Sequence, residues 1–343
     1  MRPPKHMFLV IIFIFMLMTL QSDANYAIVH KNILIINSYH HGLSWTDDLT
    51  NAEINTIKSG YSGDVKFYVE YMDWKEHPTE ETLILFEDLM AYKYEDMNID
   101  LIIASDDAAF EFILEKRGKL FGDIPIVFNG ISESSFESLV TIEDNFTGVL
   151  EIVDIKTTLE MAQMVNPVLD TFYIIYDETE SGRSMGEAAA IEVHRTLSDI
   201  EVVKITNLSI EDIISFVSSL ESKDSILMTA YYTDVHGMNI NFEDMIQKVS
   251  ESTSAAVFSL YDFALGKGAL GGNLLSGKLI GERTAELAIE ILNGADADDL
   301  ELIRTGIHMS AIDYDAALDY NIDFKRLSSV SLQVISDTPS LSL

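Results

Sequence analysis

After its first thirty residues the chain alternates short apolar runs with longer amphipathic stretches, and this alternation restricts the fold more than any other feature. Ile33 to Ile36, Val65 to Tyr71, Leu101 to Ala104, Ile124 to Phe128, Phe172 to Tyr176, Val202 to Ile205, Ile226 to Thr229 and Ala255 to Leu260 read as strands. Thr79 to Tyr92, Ala108 to Lys116, Thr157 to Met164, Gly186 to Leu197, Ile210 to Leu220 and Phe242 to Ser250 read as helices. Apolar runs this short, bounded by turn residues and separated by helices, predict parallel strands covered on both faces. At 343 residues the chain exceeds what one core usually serves. Two successive strand–helix sets therefore predict an α/β protein of two doubly wound parallel-sheet lobes.

In such sheets ligands bind outside the carboxyl ends of the strands, so the candidate site residues are sought there. The first strand empties into Asn37-Ser38-Tyr39-His40-His41-Gly42-Leu43-Ser44-Trp45-Thr46-Asp47-Asp48, where Thr46 or Asp47 can cap the following helix. Ser38, Tyr39 and Trp45 offer hydrogen bonds and rigid amphipathic rings. Asp106 and Asn129 follow two further strands of the first lobe, where a carboxylate can receive an ammonium and an amide can bond either polarity. The second lobe contributes Tyr176 and Asp177 at a strand end, Ser181 at a helix start suited to an anion, and Tyr231 with Tyr232 after another strand, where core packing explains one of the pair and two at a cleft edge would make a ligand platform. Tyr261 and Asp262 are placed at the hinge. For each residue taken singly the alternative is structural, with Asp106 as a helix cap and the tyrosines as core.

Composition narrows the function. The 56 acidic residues outnumber 22 basic ones, and the net charge of −34 opposes a nucleic-acid partner. The absence of cysteine excludes disulfides, thiolate metal sites and a lipidated cysteine. No metal or other cofactor is expected. The side chains of adjacent His40 and His41 diverge, and the run Asp296, Asp298, Asp299 lacks the glycine and terminal glutamate of a calcium loop. Gly266-Lys267-Gly268-Ala269-Leu270-Gly271 spells the dinucleotide fingerprint but does not join a strand directly to a helix. Its glycines are read as a close-packed crossing between lobes. No nucleophile elbow, P-loop lysine or metalloprotease helix is present, which favours a binding protein over an enzyme. An exported α/β hydrolase acting on a small substrate is the rival reading. Arg2 and Lys5, the apolar run from Met7 to Leu20 and the small residues of Ser22-Asp23-Ala24 predict an export signal over residues 1–24, with an uncleaved anchor as the alternative. The expected location is periplasmic or extracytoplasmic.

Asn37-Ser38-Tyr39-His40, Trp45-Thr46-Asp47-Asp48, Ala104-Ser105-Asp106-Asp107, Phe128-Asn129-Gly130, Thr147-Gly148-Val149, Asp177-Glu178-Thr179-Glu180-Ser181-Gly182, and Tyr261-Asp262-Phe263 before Gly271-Gly272 occur in that order. Together they resemble the ABC-transporter substrate-binding-protein-like family of the periplasmic-binding-protein type I kind. Within it they look most like the branch used as extracytoplasmic sensor domains of histidine kinases and diguanylate cyclases. The resemblance spans Asn32 to Asp337 and implies a hinge that the chain crosses near Gly148 to Asp154, Tyr261 to Gly266 and Arg304 to His308. The expected division is a first lobe of 31–150 completed by 264–303, a second of 151–263 completed by 304–330, and a tail of 331–343. The resemblance implies hinge closure over a small organic ligand, compatible with an amino acid. The implied partner is a membrane permease or a sensor kinase or cyclase.

Overall fold

The structure, a computed structural model, describes residues 30–139, 144–323 and 332–335. Its first sheet contains β1 (Lys31–Asn37), β2 (Val65–Tyr71), β3 (Leu101–Ser105), β4 (Ile126–Ser132) and β5 (Phe146–Glu151). All pairings are parallel, in the order β2-β1-β3-β4-β5. Ile33, Leu34, Ile35 and Ile36 are all 0% exposed, as a central parallel strand with helices on both faces requires. Leu34 and Ile36 face Phe86, Met90, Phe110 and Phe128, whereas Ile33 and Ile35 face Leu49, Ile57, Ile280 and Leu287.

The second sheet contains β6 (Thr171–Ile175), β7 (Glu201–Ile205), β8 (Ser225–Met228), β9 (Ala256–Ser259), β10 (Gly271–Leu275), β11 (His308–Asp313) and β12 (Gln333–Ile335). The order is β12-β11-β10-β9-β8-β6-β7, and only β10 and β11 run antiparallel. From β7 to β10 the order repeats that of the first sheet. Each lobe therefore reverses its strand order once, between β1 and β3 and between β6 and β8, and each reversal opens a crevice at the strand ends.

The chain passes between the sheets at Glu151–Ile155, at Leu275–Gly277 and between Ile303 and His308. The second passage lies later than the sequence suggests, because β10 belongs to the second sheet and so the portion 264–275 stays there. Gly271 and Gly272 make that possible: a Cβ on Gly271 would sit 2.1 Å from the Ala311 carbonyl oxygen, and one on Gly272 2.5 Å from that of Ser259. The fingerprint-like glycines thus serve close strand packing within one sheet. The first passage, at Glu151–Ile155, overlaps the expected Gly148 to Asp154 but begins later, because Phe146–Glu151 forms the strand β5. Its Gly148 interrupts the apolar run because a Cβ there would meet the Phe128 carbonyl oxygen at 2.4 Å. The proposed signal and most of the tail lie outside the described residues.

The helix Gly277–Leu292 returns to the first lobe and packs on the helix Ser44–Gly60. At Gly281 a Cβ would be 2.5 Å from the Leu49 carbonyl oxygen and 2.8 Å from the Ala52 Cβ. After this helix Ile303 donates to the Gly148 carbonyl and accepts from the Leu150 N–H, both at 2.9 Å, which anchors the returning chain on β5. Gly281→Val should therefore lower stability by roughly 1–3 kcal/mol in urea unfolding. Gly118→Ala, inside the helix Asp107–Leu120 and facing open space, should raise it by about 0.5–1 kcal/mol. Equal effects at the two positions would contradict the close approach of the helices.

Candidate functional site

The crevice of the first lobe is organised by Ser38. Its N–H and hydroxyl both donate to the Ser105 carbonyl, at 3.0 and 2.8 Å, and its Oγ accepts from the Ala109 N–H at 2.8 Å. Ser38 thus satisfies the start of the helix Asp107–Leu120 from across the crevice, a role the sequence had offered to Asp106. Asp106 sits at the N-cap position with φ 68° and makes no side-chain cap bond. Its Oδ1 accepts from Trp45 Nε1 at 3.0 Å, and its Oδ2 is buried without a partner. Burial pushes the carboxyl up to about 7, against the pull of the Trp45 bond and of Lys75. Gly130, at φ 69°, leaves room for this carboxylate, since a Cβ would lie 2.5 Å from Asp106 Oδ1. The helix Ser44–Gly60 begins with no side-chain cap. Asp47 instead reaches back to the Gly42 N–H at 3.1 Å, and Thr46 Oγ1 is buried without a partner.

Behind this layer Asn129 Nδ2 donates to Glu53 Oε1 at 2.7 Å. Both residues are fully buried, and Glu53 Oε2 and Asn129 Oδ1 lack partners. Burial raises the Glu53 carboxyl to about 8, which favours its neutral form.

In the second lobe Asp177 is spent on its own framework. Oδ1 accepts from the Thr179 N–H at 3.0 Å and from the Thr179 hydroxyl, and Oδ2 accepts from the N–H groups of Tyr232 and Thr233 at 2.7 and 3.2 Å. It ties the loop after β6 to the loop after β8. Tyr176 points away from the cleft: its hydroxyl donates to Glu187 Oε1 at 3.1 Å, and Lys204 holds the same carboxylate. Tyr231 is 1% exposed and packs in the core with Met228, Phe242 and Val257. Ser181 is exposed, with its Oγ 3.3 Å from Thr179 Oγ1.

Side chains of the two lobes meet across the cleft. Trp45 presents its ring edge-on to Tyr261 and Phe263, at centroid distances of 6.1 and 6.5 Å. Tyr261 and Phe263 stack at 5.3 Å and 16°, and Phe242 closes the group edge-on at 6.3 and 5.5 Å. The Tyr261 hydroxyl donates to Glu151 Oε1 at 3.3 Å, and burial beside Asp106 and Asp107 raises the Glu151 carboxyl to about 8. Lys75, on the loop after β2, holds its Nζ 3.7 Å from the Tyr232 ring centroid and 4.5 Å from that of Tyr39. Burial lowers its ammonium to about 8, although Asp106, Asp177, Glu151 and Glu76 all favour the charged form. At the hinge, Asp262 Oδ1 is buried without a partner, and burial raises this carboxyl to about 6 against a bond from Ser276.

Of the residues singled out by sequence, Tyr39, Trp45, Asp106 and Tyr261 converge on the cleft, with Asp262 at its hinge edge. Ser38, Asn129 and Asp177 lie just beneath it in supporting bonds. Tyr176 and Tyr231 turn into the second lobe, and Ser181 stays at the surface. Sequence reasoning missed Lys75, Glu53, Glu151 and Phe263, whereas Tyr232, which the sequence offers together with Tyr231, is the one of the pair that reaches the cleft. Lys75, like Tyr232, lies in a strand-end loop, the signal that selected the other candidates. Among the described residues no group of three or more His, Asp or Glu side chains could hold a metal ion, and no helix is long and apolar enough to cross a membrane.

These features agree with comparisons to known proteins. A family model described as ABC transporter substrate binding protein matches residues 84–333. A tyrosine-binding protein of Clostridioides difficile strain R20291 is 21% identical over 217 residues, covering 62% of this chain and 61% of that protein. A ligand-free, open substrate-binding protein with adhesive properties from Clostridium difficile superposes with a TM-score of 0.64 at 18% identity, covering 89% of this chain and 99% of the other. A domain from Streptococcus pneumonia in complex with L-Trp gives 0.63 at 15% identity, covering 89% of this chain and all of the other. With more than half of its length matched by the family model, the chain belongs to the ABC transporter substrate-binding protein family.

Proposed function

We propose that this protein closes its two lobes over a small aromatic, amino-acid-like solute outside the cytoplasm and presents the closed form to a membrane permease. The observation that carries this reading is the meeting of both strand-end crevices over one aromatic and acidic wall, with Trp45, Asp106 and Lys75 from one lobe and Tyr232, Tyr261 and Phe263 from the other. Rings that stack edge to face suit an aromatic body, and buried carboxyls in the wall suit a solute ammonium. The relatives described as tyrosine-binding and as bound to L-Trp support the same solute class. A hydrolase finds less support, because Asp177 is engaged by four donors and has no free oxygen aimed at a substrate. A sensory output is a second reading: Gln333–Ile335 joins β11 and so couples the C-terminal segment to the second lobe, where a kinase or cyclase could read closure.

L-tyrosine and L-tryptophan should each raise the melting temperature by several degrees at a hundredfold excess over Kd, a stabilisation of about 2.7 kcal/mol. Trp45→Ala should weaken binding at least tenfold while leaving the fold intact by far-UV circular dichroism. No shift with any amino acid would remove the amino-acid reading.

The buried carboxyls also set a pH dependence. Glu53 and Glu151 ionise near 8 when folded, above the ordinary 4.5, so the folded protein keeps protons that the unfolded chain releases. Their stabilising effect is fully present below about pH 4.5 and is lost as pH rises through 8, by up to about 1.4 kcal/mol per pH unit for each group. Lys75 acts in the opposite direction, its penalty being relieved between pH 8 and 10.5. Unfolding measured from pH 5 to 8 should show falling stability, and Glu53→Gln should flatten the slope. An unchanged slope would show that Glu53 is already ionised in the folded state.

A further inference from the structure

The loop that carries Lys75 is fixed rather than free. Met72 donates to the Asn37 carbonyl and Trp74 to the Ser38 carbonyl, at 2.9 and 2.8 Å, while the N–H groups of Glu76 and His77 close onto Asp73. From this base Lys75 spans the cleft and reaches a ring on each side, Tyr39 of its own lobe and Tyr232 of the other. Among the described residues its ammonium makes no hydrogen bond and no ion pair within 4 Å. Asp106 and Glu151 act on it only through longer-range attraction.

Two ring faces form a recognition element for an ammonium, because the ring quadrupoles attract positive charge, and the acids of the cleft, Asp106 and Glu151 among them, favour the charged form of Lys75. A solute carboxylate placed there would meet the negative faces of both rings and be repelled. We infer that the cleft contains a cation seat formed by Tyr39, Tyr232, Asp106 and Glu151, that Lys75 fills it with its own ammonium, and that the amine of an incoming solute takes the seat by displacing Lys75. This rests on the two-lobe binding reading and names the class of solute: a primary amine attached to an aromatic body that lies against Trp45 and Tyr261. Lys75 is then a specificity-determining residue. It bridges the lobes through Tyr232, and its displacement sets the affinity an amine must exceed, as a competing intramolecular ligand does.

The test uses the full chain and two variants, Lys75→Met, which keeps the length and removes the charge, and Lys75→Arg, which keeps the charge. Tyramine supplies the aromatic body with an amine, and 3-(4-hydroxyphenyl)propionate the same body with a carboxylate. By titration calorimetry, Lys75→Met should bind tyramine about tenfold more tightly than the parent, with the propionate unaffected. In X-ray scattering without solute, Lys75→Met should have a larger radius of gyration than the parent and Lys75→Arg should not. Tyramine binding that is unchanged, weakened or absent in Lys75→Met overturns the inference, as does propionate binding that depends on Lys75. In any of these cases, stabilisation of the parent by another solute leaves the two-lobe binding reading standing, whereas stabilisation by none removes that reading as well.

Discussion

The reversal of strand order in each sheet is the constraint from which the rest of the molecule follows. Parallel strands need crossover helices, and where successive crossovers leave toward opposite faces the strand ends part and leave a crevice. In the first lobe this happens between β1 and β3, and the gap is bridged by Ser38 to Ser105 and by Trp45 to Asp106. In the second it happens between β6 and β8, where Asp177 binds the backbone of Tyr232 and Thr233. The residues that reach the cleft do so from strand ends and the loops or helix starts that follow them, with Lys75 after β2 and Glu151 at the end of β5, or from the hinge beside β9.

The two lobes treat their buried acids differently. Asp177 receives four hydrogen bonds and acts as a rigid brace. Asp106 receives one bond, from Trp45, keeps an unpaired oxygen and is drawn toward ionisation by Lys75 of its own lobe. Glu53 lies deeper, bonded to Asn129, in a site where burial outweighs that bond and favours the neutral acid. Such groups reduce stability relative to an apolar core, and they are retained where polar recognition is needed. Rigid bracing in one lobe and unsatisfied polarity in the other fit a cleft whose charge balance a solute completes.

The strand and helix pattern was legible because hydrophobic period and length are local properties. β1, β2, β3, β6, β7, β8 and β9 all fall within a few residues of the apolar runs that announce them. β5 and β10 were not legible. Gly148, Gly271 and Gly272 break the apolar pattern, and the reason for glycine at these positions is a neighbouring backbone that approaches within about 2.5 Å of where a Cβ would stand. Only the paired strand reveals it. The same ambiguity moved the second passage between lobes, since a strand that opens with two glycines reads like a linker.

At the site, the sequence by itself determined that aromatic and acidic residues gather at strand ends, and with that the fold class and the face of each sheet that carries function. It could not decide which of two adjacent side chains turns into the cleft. Tyr231 enters the core and Tyr232 meets Lys75, because neighbouring residues point apart and the backbone of the β8 loop is pinned by Asp177 from another part of the chain. It could not show that Asp106 bonds Trp45 instead of capping its helix, since the cap comes from Ser38, distant in sequence. Lys75 carried no local mark beyond its place in a strand-end loop. Its environment is made of rings from both lobes, and that environment exists only once the tertiary fold has brought the two crevices together.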